Sequence, residues 1–541
     1  MTDSPTAEFD AVVVGAGMAG LYSLWRLRRL GFTAVAIEQG DGVGGTWFWN
    51  RYPGCRCDVP SLEYSFGFSP ELEQEWEWTE VFPSQPEIER YLNHVADRFD
   101  LRRDIRLSTK VTGATYGEDA RTWTVSTDAG DAITARFVIM ATGALSVPQV
   151  PAIDGIDDFA GPLIYTSTWP HDPVDLAGKR VGLVGTGSSG VQATPELADM
   201  AGHLWVFQRT PTFTWPSHNG PLDPAVQAEA KAHYRALRAG QRTSPGGVTG
   251  STGAIILQSA EEQRSILEAS EEERLAALEE LGWDGTRVWG DALVDPDANE
   301  AAVELYREMV RRTVDDPELA ESLSPRGFPM HCKRPVIDSH YFETFNRDDV
   351  TLVDLRQGGI DRIDATGIQT AQGHYDLDVI VLATGFDAMT GAATRIDLRG
   401  RGGRLLRDEW AGGPRSYLGL QSAGFPNLFT VTGPGSPSVL ANVVVCIEQH
   451  VEWITDCMAH MRERGFTEVE PTVEAQDGWV DHVNEIAAPT MMVAPTCNSW
   501  YVGANIPGKP RALMPYVGGL DRYTAACDEV VADGYRGFVF T

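Results

Sequence analysis

Nowhere in the 541 residues does an uninterrupted apolar run approach the roughly 20 residues a helix needs to cross a bilayer. No membrane span is expected. Positive charge is also short: 44 lysines and arginines stand against 76 aspartates and glutamates, a net charge of −32. Nucleic acid and anionic lipid would be repelled by such a surface, so neither is an expected partner. Cysteine is sparse, with seven residues at 55, 57, 332, 446, 457, 497 and 527. An odd, scattered set reads as reduced thiols rather than a disulfide framework. Cys55 and Cys57 form C-x-C, which matches neither a zinc pair nor the C-x-x-C redox motif, so no metal is expected. The opening MTDSPTAEFDAVVVG has no basic region before an apolar core, and the expected location is cytoplasmic.

What is present is ordinary globular composition, 43% hydrophobic and 22% charged, in a chain long enough for two to four domains. Residues 11–20, AVVVGAGMAG, are a β-branched run ending in Gly15-x-Gly17-x-x-Gly20. An amphipathic segment follows, then a second strand, TAVAIEQ, carrying Glu38 near its end. This strand–turn–helix–strand setting is what a dinucleotide fingerprint requires. Gly15 permits the tight turn, Gly17 the approach of a pyrophosphate, and Gly20 close packing of helix on strand; the helix N-terminus favours the phosphate charge. Glu38 suits an unmodified ribose diol, as in FAD or NAD.

The pattern recurs. RVGLVGTGSSG places Gly185, Gly187 and Gly190, and the following strand ends in Arg209-Thr210 where the first unit has Glu38. A guanidinium there suits a ribose 2′-phosphate. The expected pair of ligands is FAD at the first site and NADPH at the second, with hydride passing between them. RFVIMATG and YDLDVIVLATGF both end a strand in Ala-Thr-Gly, near 143 and 385, where we expect the chain to cross between units. Residues 215–328 carry apolar positions at helical spacing among dense charge, which predicts a helical insertion covering the cleft. Gly246-Gly247 suggests a mobile loop within it.

Two longer motifs are more specific. Gly44 to Asp58, GGTWFWNRYPGCRCD, fits G-G-x-W-x4-Y-P-G-x3-D. Residues 159–170, FAGPLIYTSTWP, fit F-x-G-x3-H-x3-W-P except that Tyr165 stands in the histidine position. With them the chain resembles the type I Baeyer–Villiger monooxygenases over nearly its whole length, most closely the phenylacetone and steroid monooxygenase branch. The resemblance implies an α/β fold of two Rossmann-like domains, the NADPH domain inserted in the FAD domain. The boundaries expected are 1–143 with 385–541 for FAD, 144–214 with 329–384 for NADPH, and 215–328 for the insertion. It also implies insertion of one O2 oxygen beside a ketone carbonyl, giving an ester or lactone, through oxygen activated as a peroxide at flavin C4a.

By resemblance, Arg334 is the catalytic cation and Asp58 the carboxylate that orients it. Lys333 joins Arg209 and Thr210 on the 2′-phosphate, and Trp500 lies near the nicotinamide ribose. Gly45, Trp47 and Tyr64 fall beside the flavin, and Ser438, Val439 and Leu440 in a substrate loop. A histidine can become cationic near neutral pH and Tyr165 cannot, which puts tight coupling of NADPH use to oxygenation in question. Pro335 holds Arg334 in extended backbone. A monomer or small homo-oligomer is expected. Three other readings remain at this stage. One is an N- or S-oxygenating monooxygenase of the same fold, and another an uncoupled NADPH oxidase or non-catalytic flavoprotein. The third, a disulfide reductase, needs a cysteine pair beside the flavin, and the C-x-C spacing is wrong for it.

Overall fold

A computed structural model describes residues 8–249 and 264–541. The apolar run before Gly15 forms the central parallel strand Phe9–Val14, with Ala34–Ile37 on one side and Ala132–Met140 on the other. Ala11, Val12 and Val13 have no exposed surface, as expected for strands covered on both faces. Thr122–Thr127 extends the sheet antiparallel to Ala132–Met140, and Val111–Gly117 in turn pairs antiparallel with Thr122–Thr127. Two strands from far along the chain complete it in parallel: Asp397–Arg399 beside Val111–Gly117, and Leu428–Thr430 beside Ala132–Met140.

The second sheet is wholly parallel and runs in the order Val350–Asp354, His203–Gln208, Arg180–Val184, Val379–Leu382, Leu163–Tyr165. These are two Rossmann-type α/β units, and the chain passes out of the first after Met140 and back into it after Leu382. Helix Met18–Arg29 packs against the long helix Val443–Arg464, so the last third of the chain covers the first unit.

Three helices of the intervening region start in the same way. Asp223, Asp295 and Asp316 each accept backbone N–H bonds at the N-cap, and a proline follows as the first helical residue. The region does not act as one body. Its first helix, Pro224–Thr243, ties to the first unit and its C-terminal cover: Arg238 donates to Glu73 at 2.8 Å, and Arg242 donates to both Glu452 oxygens at 2.7 and 2.8 Å. Its later helix, Pro296–Thr313, packs on the second unit, where the Tyr306 hydroxyl accepts from Thr214 N–H at 2.7 Å and donates to its carbonyl at 2.9 Å.

Two expectations are corrected. Gly246 and Gly247 are not a free loop: both are buried, and the Gly246 carbonyl accepts from Asn442 N–H at 2.8 Å. The apolar surface lost to water there favours a docked turn. The rest of that stretch, 250–263, lies outside the described residues. Nor are all seven cysteines reduced. Cys332 and Cys497 form a disulfide across 165 residues, while the other five are free and buried. Only the packing of the C-terminal segment on the second unit brings that pair together, and spacing in the sequence carries no trace of it.

Among the described residues no helix is long and apolar enough to cross a membrane. None of their His, Cys, Asp and Glu side chains form a group of three that could hold a metal ion.

Candidate active site

The two glycine turns share one design. Gly15 and Gly185 both have φ +107, and a Cβ on either would lie 2.6 Å from the carbonyl oxygen of Ala141 or Ala383. Those alanines open the two Ala-Thr-Gly segments, which explains the repeat seen in the sequence. A Cβ on Gly20 or Gly190 would overlap the carbonyl oxygen of Gly15 or Gly185, so helix and turn touch through backbone alone. Gly17 and Gly187 stand at the N-caps of helices Met18–Arg29 and Ser188–Met200, where unpaired N–H groups gather. Gly45, at φ +58, packs its backbone against Gly17, so the second glycine pair narrows the first turn.

Glu38 is buried, with one carboxylate oxygen accepting from Ala16 N–H and the other from Gly40 N–H, both at 2.8 Å. The carboxylate is thereby held at the mouth of the first turn. Trp47 donates its indole N–H to the Tyr64 hydroxyl at 3.2 Å, and both rings are buried, meeting edge to face at 5.8 Å. Burial raises the Tyr64 phenol well above its ordinary range, so it stays neutral and can donate.

Arg334 is held on three sides. Its Nε and Nη2 donate to the two oxygens of Asp58 at 2.7 and 2.8 Å, and Nη1 donates to the backbone carbonyl of Val439. Burial opposes its charge, but the Asp58 carboxylate, by charge and by hydrogen bonding, outweighs burial and keeps the guanidinium more firmly protonated. The side chains remain 18% and 26% exposed, so the pair sits at the edge of a space rather than in sealed core. Pro335 leads directly into the strand Val336–Asp338, which pairs with Thr214–Pro216 and anchors the arginine's backbone. Tyr501 was missed in the sequence. Its hydroxyl is buried beside Arg334, whose guanidinium draws it down against a stronger effect of burial, which leaves it at about 12.

Lys333 points the other way, its ammonium 4.4 Å from the centre of the Phe328 ring. Burial, and then the like charge of Arg209, push it down to about 8. Thr210 offers its carbonyl to Thr186 at 2.9 Å, fixing the turn that carries Arg209.

The last expected residues lie on two loops that meet at Arg334. Ser438 and Leu440 are fully buried and Val439 half-buried; Val439 packs with Ala144, Leu145, Ala388, Met389, Met514 and Trp500 into an apolar wall. The Trp500 loop is bound down where Lys509 donates to Asp387 at 2.7 Å and Asn505 to the Phe386 carbonyl at 2.9 Å. Tyr165 is not among these groups. It ends the edge strand of the second sheet, paired with Leu382 and half-buried against that sheet's core. Gly161 is needed there, since a Cβ would lie 2.5 Å from the Asp378 carbonyl and 2.8 Å from the Phe159 ring.

Similarity to known proteins agrees with this geometry. The family described as "Pyridine nucleotide-disulphide oxidoreductase" matches residues 12–244. An acetone monooxygenase (methyl acetate-forming) of Gordonia sp. (strain TY-5) is 41% identical over 99% of this chain and 100% of its own. A phenazine N-monooxygenase of Lysobacter antibioticus is 39% identical over 100% and 98%. The solved structure of an oxidised steroid monooxygenase bound to NADP superposes with a TM-score of 0.91 at 49% identity, covering 99% of both chains. This chain belongs to the Baeyer–Villiger monooxygenases, flavin enzymes that use FAD and NADPH to convert ketones to esters or lactones.

Proposed function

We propose that the protein oxygenates an apolar ketone, with Arg334 as the catalytic cation. The observation that carries this is the three-sided hold on Arg334 beside an apolar wall. Residues 1–143 and 385–541 would hold FAD and 144–214 and 329–384 NADPH, with 215–328 inserted. The separate sheets, and the return of Asp397–Arg399 and Leu428–Thr430 to the first of them, support that division. The first glycine turn fits a pyrophosphate, with Glu38 toward the ribose and Gly45, Trp47 and Tyr64 toward the flavin ring. The second fits NADPH, with Arg209, Thr210 and Lys333 on the 2′-phosphate and Trp500 over the nicotinamide end. When bound, the flavin supplies reduction by NADPH and activation of O2.

The chain's own residues do the rest. Arg334 cannot lose its proton near neutral pH, so it presents a fixed positive charge to oxygen that turns negative as it is delivered to a carbonyl. Asp58 and the Val439 carbonyl aim it. The wall of Val439, Met389, Met514 and Trp500, with Ser438 and Leu440 behind it, binds the apolar body of the ketone and excludes water. The test is turnover of a ketone panel with 18O2: one labelled oxygen in an ester or lactone per NADPH is expected. Oxygenation of an aromatic amine nitrogen in preference to every ketone would favour the second reading, which the phenazine N-monooxygenase supports.

Three smaller effects follow. Lys333 at about 8 must be protonated to meet a phosphate dianion. Affinity for NADPH should therefore be full well below pH 8 and fall as pH rises through it, while affinity for NADH stays flat. Arg209→Ala should weaken NADPH about tenfold, as for one lost charged hydrogen bond, and leave NADH unchanged. KM measured for both nucleotides from pH 6.5 to 9.5 checks both statements, taking in roughly 1.5 units either side of the lysine's midpoint. Tyr165→His should lower peroxide released per NADPH with ketone saturating, by up to about tenfold for a barrier change of about 1.4 kcal/mol. An unchanged ratio would make Tyr165 a packing residue only, consistent with its place on the second sheet's edge.

A further inference from the structure

The Cys332–Cys497 bond lies where the two loops of the site meet. Cys332 stands two residues before Arg334, and Cys497 three before Trp500 and four before Tyr501. Each loop is also tied down on its own side. On one side Asn299 brackets Met330, accepting from its N–H and donating to its carbonyl at 3.1 Å each. On the other Arg511 donates to the carbonyls of Cys497 and Ala494 at 2.9 and 2.7 Å. Between the loops the described residues offer one covalent tie, across Cα atoms 5.7 Å apart. Both sulfurs are fully buried. Tyr501, whose hydroxyl lies beside the Arg334 guanidinium, and Trp500, which packs on Val439, are both carried by the loop that this bond secures.

We propose that Cys332 and Cys497 are a reversible redox site that locks the Trp500–Tyr501 loop against the Arg334 segment. As a dithiol, the loop is held by hydrogen bonds and the Lys509–Asp387 pair and opens more readily, admitting water to the oxygenation site. As a disulfide it stays shut. The oxidant is hydrogen peroxide, the product a flavin monooxygenase releases when NADPH is spent without oxygenating substrate. One cysteine sulfur attacks a peroxide oxygen: an S–O bond forms, the O–O bond breaks, and the departing oxygen leaves as water. The second sulfur then displaces the oxygen from the first, forming S–S and breaking S–O, and a second water leaves. Two thiol protons end in the two waters; the sulfurs together lose two electrons, and the peroxide gains them. Burial keeps protein-sized oxidants away, whereas peroxide made next to the loop is small enough to arrive. A small dithiol such as dithiothreitol reverses the bond by thiol–disulfide exchange. An enzyme that leaks peroxide thus tightens its own lid.

The test uses the FAD-loaded full chain. It is reduced with dithiothreitol, desalted, and turned over with NADPH in air without ketone, then denatured, alkylated and mapped by peptide mass spectrometry. The Cys332 and Cys497 peptides should be alkylated in the reduced sample and cross-linked after turnover, and catalase should prevent the link. Cys55, Cys57, Cys446, Cys457 and Cys527 should be alkylated throughout. With ketone saturating, reduced enzyme should release roughly threefold more peroxide per NADPH than oxidised enzyme, with equal flavin content. Cys332→Ser, Cys497→Ser and the double variant should all match the reduced level, since either change removes the same bond. The proposal is overturned if Cys332 and Cys497 stay alkylated after turnover and after added peroxide. It is equally overturned if the link forms but reduced and oxidised wild-type enzymes partition NADPH alike. That last comparison needs no substitution, so a variant that fails to fold leaves the test intact.

Discussion

Arg334→Ala should bind FAD normally, be reduced by NADPH, and yield ester at a rate lower by about 10²–10³-fold, the loss found when one charge-stabilising donor is removed. The nucleotide contacts proposed above lie on other residues, so binding and reduction have no reason to fail. What is lost is a cation held by Asp58 at 2.7 and 2.8 Å and by the Val439 carbonyl. Reducing equivalents should then leave as hydrogen peroxide. Arg334→Lys should recover little, because a point ammonium cannot meet both Asp58 oxygens and Val439 together. Asp58→Asn should show a milder form of the defect, since the guanidinium keeps its charge and loses its aim. Ester yield and peroxide per NADPH, measured with flavin content as the control, decide the matter. Normal ester formation by Arg334→Ala would remove Arg334 from the chemistry.

The second large effect separates the two nucleotide sites. Gly190→Ala should abolish use of NADPH while FAD stays bound, and Gly20→Ala should yield protein without FAD. In each case the new methyl overlaps a carbonyl oxygen of the same turn, Gly185 or Gly15, so the helix must move off its strand. That displaces the helix N-terminal N–H groups proposed to meet the pyrophosphate. Flavin absorbance of the purified protein and reduction by NADPH read the two losses separately. Gly187→Ala is the control for the second site: a Cβ there meets no atom within 4 Å, so the empty site should fold unchanged. If Gly190→Ala keeps its NADPH affinity, the second turn is not the nucleotide site.

The two glycine turns were legible in the sequence because a turn at φ +107 and a backbone-on-backbone contact leave only one residue type free of strain. The same local logic marks the Asp-Pro helix starts and the extended backbone at Arg334-Pro335. Those demands act over a few residues, so a linear string carries them. Resemblance in the two long motifs pointed to the family, and to Asp58 and Arg334 separately.

Tertiary structure decided what spans the chain. Asp58 and Arg334 are 276 residues apart, and only the docking of one unit on the other brings them within hydrogen-bond distance. The third hold on Arg334 is a backbone carbonyl, which every residue possesses and no sequence pattern can single out. Tyr501 stands beside Trp500 in the sequence, yet its relation to Arg334 depends on how the C-terminal loop folds back over the second unit. The disulfide is the sharpest case. Seven scattered cysteines carry no pairing information, because closing a loop of 165 residues is set by where two packed units place its ends.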